Sequence, residues 1–303
     1  MGGVTRPPTP DLPRIFDRRL LRRRLERARA GGGEHILMPR VTEELVARLS
    51  TVRREFREVV DLGTPHPLAA QALRAALPEA WLVRAAPIVE AGLTGGCHQV
   101  VADDEAQPFR AGSFGLAVSL LSLQAVNDLP GVLVQIRRML KADGLFLACL
   151  LGGQSLTELR QALFEAEAEM TGGASPRVAP FSDLRDLGGL LQRAGFALPV
   201  TDVDTVVARY ASPFGLFADL RAMGATNALV QRSRCPMRRG LLMRAAEVYA
   251  RRFADPDGRV RATFGIVWLS GWAPHESQQK PLRPGSARAS LAEALKPGGR
   301  PDR

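Results

Sequence analysis

The stretch Glu58-Val59-Val60-Asp61-Leu62-Gly63-Thr64-Pro65-His66-Pro67 constrains the fold more than any other part of this 303-residue chain. Two β-branched residues lead into Asp-Leu-Gly, and an Ala/Leu-rich segment follows over 68–77. That order predicts a strand, a tight turn and a helix. In an open α/β sheet, the first such turn is where a nucleotide-like ligand sits. Glycine, lacking a Cβ, permits close approach of backbone to a ligand, whereas the prolines at 65 and 67 also remove N–H donors. The segment therefore carries a strong fold signal and a reduced glycine signal.

Strand and helix patterns then alternate. Strands are expected over 58–62, 80–85, 98–102, 115–120 and 145–150, with helices over 68–77, 131–140 and 156–170 between and after them. The run at 145–150 is apolar throughout, as a strand covered on both faces should be. Further on, a helix is expected over 183–194, capped by Ser182 and closed by Gly195. A strand over 203–210, helices over 214–223 and 241–253, and a last strand over 262–269 follow. The pattern predicts an α/β fold with a doubly wound, mostly parallel sheet of seven strands. Two helices precede it, an Arg-rich one over 15–30 ended by Gly31-Gly32-Gly33, and one opened by Thr42 and running to about 54. The expected organisation is a disordered 1–13, a single domain over 14–272, and an extended basic tail over 273–303. Within the domain, helices occupy 14–54, the ligand-binding core 57–150, and a substrate or partner side 151–272.

The net charge of +10 suggests nucleic acid until it is located. Residues 1–30 carry a net +6 and residues 280–303 a net +4, so the body between them is neutral overall. The stretch 219–261 is locally basic, but no nucleic-acid motif or interleaved aromatic platform accompanies it. No run reaches the ~18–20 apolar residues of a membrane span. The N-terminus lacks the apolar core of a secretory signal. Cys97, Cys149 and Cys235 are odd in number and scattered, which fits neither a disulfide framework nor a metal cluster. A reducing cytoplasm is the expected compartment. His35, His66, His98 and His275 show no metal-ligand spacing, and no metal is expected. Ser155 and Ser277 lack a nucleophile-elbow context. Tyr210 is expected to pack with its hydroxyl satisfied.

The Asp61-Leu62-Gly63 ending resembles the first motif of the class I S-adenosylmethionine (SAM) methyltransferases, which implies that Asp61 and Gly63 hold the cofactor. The segment Asp103-Asp104-Glu105-Ala106-Gln107-Pro108-Phe109 is similar to the Asp-Ala-Glu-x-Leu-Pro-Phe of that family. There the first Asp accepts from the adenine amino group. The resemblance places that role on Asp103, with Asp104 as its neighbour. Residues Ser113–Pro130, including Ser119-Leu120-Leu121-Ser122 and Asn127-Asp128-Leu129-Pro130, resemble malonyl-carrier-protein O-methyltransferase relatives, which implies that backbone near Ser119 faces the methyl group. Gly115, Leu120 and Gln124-Ala125 depart from the usual Asp, Asn and His-Trp. After the second strand, where such proteins place an acid for the ribose, this chain has Arg84-Ala85-Ala86-Pro87, and Glu90 is the nearest acid.

The opening 15–24, the segments 172–181 and 219–229, and the ending 271–286 together resemble bacterial relatives of the mitochondrial complex I assembly factor of this fold. The resemblance covers about 14–290. It implies a Rossmann-like methyltransferase sheet with an N-terminal helical lid and C-terminal helical insertions. It also implies two functions: SAM-dependent methyl transfer to a small or carrier-bound acid, or an assembly-type role on a respiratory-complex subunit, as arginine hydroxylase or non-catalytic scaffold.

Overall fold

The computed structural model describes residues 14–93 and 95–279. The disordered 1–13 expected from the sequence and the basic tail from residue 280 onward lie outside them. In chain order the elements are α1 (Arg18–Ala30), α2 (Met38–Ser50), β1 (Glu58–Leu62), α3 (Leu68–Ala76), β2 (Trp81–Ala86), β3 (Cys97–Val101) and β4 (Phe114–Leu120). Then come α4 (Leu129–Met139), β5 (Leu140–Leu151), α5 (Thr157–Thr171), α6 (Leu184–Arg193), β6 (Ala197–Tyr210), α7 (Pro213–Ala222), α8 (Arg239–Phe253) and β7 (Val260–Trp272).

The strands form one seven-stranded sheet in the order β3-β2-β1-β4-β5-β7-β6. The first five are parallel, and β7 runs antiparallel to both β5 and β6. The order reverses direction between β1 and β4, which opens a crevice at their C-terminal ends. Side chains of one strand alternate between two cores. Val59 packs with Leu45, Leu73, Leu159 and Val248 on one face, while Val60 and Leu62 pack with Leu133, Ile136 and Leu191 on the other. Helices thus cover both faces, and central strands read as continuous apolar runs. The edge strand β6 alternates instead, leaving Val200, Val203 and Val207 exposed.

Local chemistry sets the helix ends. Asp17 caps α1 by accepting from Leu20 N at 3.0 Å, and Gly32 (φ +67°) ends it. α2 begins at Met38, not at Thr42, because Pro39 in its first turn needs no N–H partner there. Thr42 is an interior residue, buried against the sheet. Asp183 rather than Ser182 caps α6, accepting from Arg185 N at 3.0 Å. β5 is longer than the apolar run implied, since a turn at Asp143-Gly144 sits inside it. Residues beyond β7 fold back on that turn: Gln278 Nε2 donates to Asp143 Oδ1 and to Ala273 O, both at 2.9 Å.

Candidate functional site

The ends of β1 to β5 open into one cavity of about 900 Å³. Its floor follows the strand order: Gly63 after β1, Pro87 after β2, Asp103 after β3, Ser122 after β4 and Leu151 at the end of β5. α1 roofs it with Arg18, Arg19, Leu21, Arg22 and Leu25, the lid expected of the Arg-rich helix. Away from the strand ends the lining turns apolar, with Leu159 and Leu163 of α5, Phe181, Phe217 of α7, and Phe264 of β7. The lining is largely apolar, with polar groups at the strand ends and a second set, including Arg177, Arg221 and Asn227, on the C-terminal side, a make-up that suits a small-molecule site.

The five residues singled out from the sequence divide into two sets. Gly63 and Asp103 line the cavity; Asp61, Asp104 and Ser119 lie behind its wall. Gly63 adopts φ +65°, and a Cβ there would lie 2.0 Å from Asp104 Oδ1 and 2.7 Å from Ser122 Oγ. Only glycine fits that conformation and that space. Asp103 keeps half of its side chain exposed. Its Oδ1 accepts from Arg18 Nη2 at 2.8 Å and from Glu105 N at 3.0 Å. Its Oδ2 accepts no hydrogen bond among the described residues and is open to a ligand donor.

Arg18 was not among the residues read from the sequence, yet it organises this corner. Its Nη2 also reaches Asp104 Oδ2 at 2.8 Å, and its Nη1 donates to Ala125 O at 3.1 Å. Burial pushes the Asp104 carboxyl up from its ordinary value, with the Arg18 charge opposing. Asn127 completes the tether: its Oδ1 accepts from Ile15 N and Phe16 N, each at 2.8 Å. The other side of the same segment bonds the C-terminal part, Asp17 N donating to Ala228 O at 2.9 Å.

Asp61 is fully buried and turned inward. Thr64 Oγ1 donates to its Oδ1, while Oδ2 lies 3.7 Å from Arg84 Nε and has no hydrogen-bond partner among the described residues. Asp61 and Arg84 are directly opposite each other on β1 and β2. The arginine is equally buried and donates to Thr64 O at 2.6 Å through Nη2. Burial raises the Asp61 carboxyl to about 6, against the opposing effects of Arg84 and Thr64. Thr64 Oγ1 also accepts from Leu120 N at 3.1 Å, joining the turn to β4. Where the glycine loop is reduced, side-chain bonds from Thr64 therefore hold the turn. Ser119 is likewise internal, donating to Leu62 O at 2.8 Å, with Ser122 Oγ 3.0 Å away.

Glu90 serves α1 as a salt-bridge partner, with Arg29 Nε at 3.0 Å and Arg84 Nη2 at 4.0 Å. The fold brings His35 and His66 close enough to influence one another, which their sequence spacing did not reveal. His35 lines the cavity, and burial lowers it to about 4. No cluster of three or more His, Cys, Asp or Glu able to hold a metal occurs among the described residues. Leu121 (φ +53°) and Leu156 (φ +54°) both line the cavity in the left-handed region. Such strain is stored where the surrounding structure enforces it, and sequence carries no mark of it. Tyr210 packs as expected; its hydroxyl makes no well-formed hydrogen bond among the described residues, and burial and the nearby Asp219 carboxylate raise its pKa.

A switch-point cavity under a helical roof defines a Rossmann-like ligand-binding domain. Comparison with known proteins gives the family. The methyltransferase-domain family profile matches residues 35–199. The human "Arginine-hydroxylase NDUFAF5, mitochondrial" is 38% identical over 289 residues, 92% of this chain and 83% of that one. Its zebrafish counterpart is 41% identical over 199 residues, 66% of this chain and 62% of that one. A malonyl-[acyl-carrier protein] O-methyltransferase of Laribacter hongkongensis is 33% identical over 266 residues, 82% and 87% of the two chains. A solved Bacillus halodurans structure assigned as a methyltransferase superposes with a TM-score of 0.52 at 14% identity, covering 77% of this chain and 98% of that one, a likeness of fold. The chain belongs to the methyltransferase-domain family. No helix among the described residues is long and apolar enough to cross a membrane.

Proposed function

We propose that this protein binds SAM at the ends of β1, β3 and β4 and transfers a methyl group to a small or carrier-bound acid, acting in the cytoplasm. The observation that carries this reading is one continuous cavity running from Gly63 and Asp103 to an apolar chamber under α1. The residues present fit the adenine end of the cofactor, while the acid that relatives place at the ribose has no counterpart after β2. Gly63 bares the turn, and Asp103 Oδ2, open to a ligand donor, would accept from the adenine amino group. The buried set, Asp61, Asp104 and Ser119, holds that surface in position from behind. When bound, SAM supplies a methyl group on a sulfonium, already a strong electrophile. The chain's own part is alignment and exclusion of water, and orientation alone supplies on the order of 7–11 kcal/mol in favourable cases. A carboxylate acceptor needs no general base, and Arg19 and Arg22 on the cavity wall supply positive charge to hold it.

Calorimetric titration with SAM tests the reading. Micromolar binding, weakened in Asp103→Ala, supports it; absence of binding at millimolar SAM overturns it. The unit responsible is 14–272, with 57–150 on the cofactor side and 151–272 on the substrate side.

A second reading is favoured by the identity with the arginine hydroxylase along most of both chains. In it the same cavity serves an arginine-hydroxylating or purely protein-binding role on a respiratory-complex subunit. Mass spectrometry separates the two chemistries: methyl transfer adds a methyl group from SAM to a small or carrier-bound acid, whereas hydroxylation adds one oxygen atom to an arginine peptide when dioxygen and an electron donor are supplied.

A further inference from the structure

Beside the roof of the cavity lies a second, smaller pocket walled by Arg24 of α1 and by Arg232 and Arg234 of the segment between α7 and α8. Arg177 and Asn227 line both pockets, so the two lie side by side across these residues. The arginines here are poorly compensated. Arg177 is fully occupied by Glu167, at 3.0 Å through Nε and 2.6 Å through Nη2. Arg232 meets Asp17 Oδ2 only at 3.5 Å, and the other oxygen of that aspartate caps α1. Arg24 has no salt bridge among the described residues, and its Nη1 is shielded from solvent without a hydrogen-bond partner. Arg234 is exposed and also forms no salt bridge among them. Burial and the nearby Arg232 and Arg27 together hold the Arg24 guanidinium below its ordinary value, so like charges face each other across the pocket.

Asp17 is the one acid in the lining, against Arg24, Arg177, Arg232 and Arg234, and a guanidinium fork that lacks a partner in such a predominantly basic pocket is a receptor for an anion. Three guanidiniums lining one pocket suit a phosphoryl group, which presents more oxygens than a carboxylate. The anion would sit beside the mouth, while the larger cavity beyond Arg177 and Asn227 has a mostly apolar lining and receives an uncharged arm. We propose that Arg24, Arg232 and Arg234 form a phosphoryl-binding subsite that holds the phosphate of a pantetheine arm whose acyl end enters the main cavity. The identity of the arm rests on the acyl-acid reading above; the anion subsite itself does not.

The test is titration of the full chain with 4′-phosphopantetheine and with pantetheine at low salt. Charge-assisted hydrogen bonds of this kind give an expected advantage of about tenfold or more for the phosphorylated arm. The advantage should shrink as salt is raised and vanish in Arg24→Met and in Arg234→Glu. Arg234 is exposed, so its variant tests the subsite even if Arg24→Met fails to fold. Equal binding of the two probes, or an advantage that survives in Arg234→Glu, overturns the proposal. Coenzyme A and a holo acyl carrier protein, run in parallel, present the same arm from two sources. Either one losing affinity in Arg234→Glu supports the subsite and identifies its source; if neither does, the pantetheine assignment fails. SAM titration is read separately. A phosphate advantage without SAM binding overturns methyl transfer and leaves the subsite standing, and SAM binding without the advantage does the reverse.

Discussion

A methyl group on residue 63 has nowhere to go, because Asp104 Oδ1 and Ser122 Oγ already fill its place and the backbone is left-handed. Gly63→Ala should therefore lose on the order of 2 kcal/mol or more in denaturant unfolding, from strain and collision together. Asp61 and Arg84 make a prediction with a definite sign. The Asp61 carboxyl titrates at about 6 when folded and near 3.9 when unfolded. Between those values the folded state binds more protons, so this residue's contribution to stability rises as pH falls from about 6 to about 4. Arg84→Met strands the Asp61 charge and should cost roughly 3–5 kcal/mol at neutral pH. Denaturation at pH 5 should show a smaller loss, as Asp61 takes up a proton, and Asp61→Asn added to Arg84→Met should recover much of it. His35 acts in the opposite sense. Its folded value of about 4 lies below the ordinary 6.5, so stability is lost as pH falls through that interval. His35→Gln should make the melting temperature at pH 5 higher relative to pH 7 than in the parent, by scanning calorimetry. At this scale the sequence marks the turn clearly, since Asp-Leu-Gly after β-branched residues has few other uses. It does not show that Asp61 faces inward. That depends on an arginine 23 positions later falling opposite it, and a lone Arg in the apolar run Leu82-Val83-Arg84-Ala85 is the available clue.

Among elements, α1 is held by polar contacts more than by apolar packing. Only Ala28 of its residues is fully buried, whereas Arg18 bridges two carboxylates and a carbonyl. Removing that side chain leaves Asp104 as an unpaired buried acid. Arg18→Ala should cost roughly 2 kcal/mol in chemical denaturation and speed hydrogen exchange in the first turn of α1. Arg18→Lys should restore little, since one ammonium cannot reproduce the planar fork. Most elements are legible because helices and strands here keep their own periods, 3.6 in α6 and 2 in β6. The failures have local causes. The sequence points to Thr42, a good capping residue, as the start of α2, although Pro39 already begins the helix, and it puts the cap of α6 at Ser182, one residue before Asp183. The left-handed Leu121 and Leu156 could not be anticipated, because leucine has no propensity for that conformation and tertiary packing alone imposes it.

For the whole molecule, the cavity couples distant parts of the chain. Its wall takes in α1, the ends of five strands, α5, α7 and β7, so a ligand that fills it stabilises all of them at once. If SAM is that ligand, a hundredfold excess over its dissociation constant should add about 2.7 kcal/mol to the unfolding free energy. A thermal shift series in SAM measures this, and Asp103→Ala should flatten it. The roof has a further consequence in time. α1 is bound on one side by Asn127 and on the other by Ala228 and Leu229, partners synthesised more than a hundred and more than two hundred residues later. At typical elongation rates of about 5–20 residues per second, the helix waits on the order of ten to forty seconds for its last contacts. Until those partners are made, Leu21 and Leu25, which line the cavity in the folded chain, lack the walls that cover them.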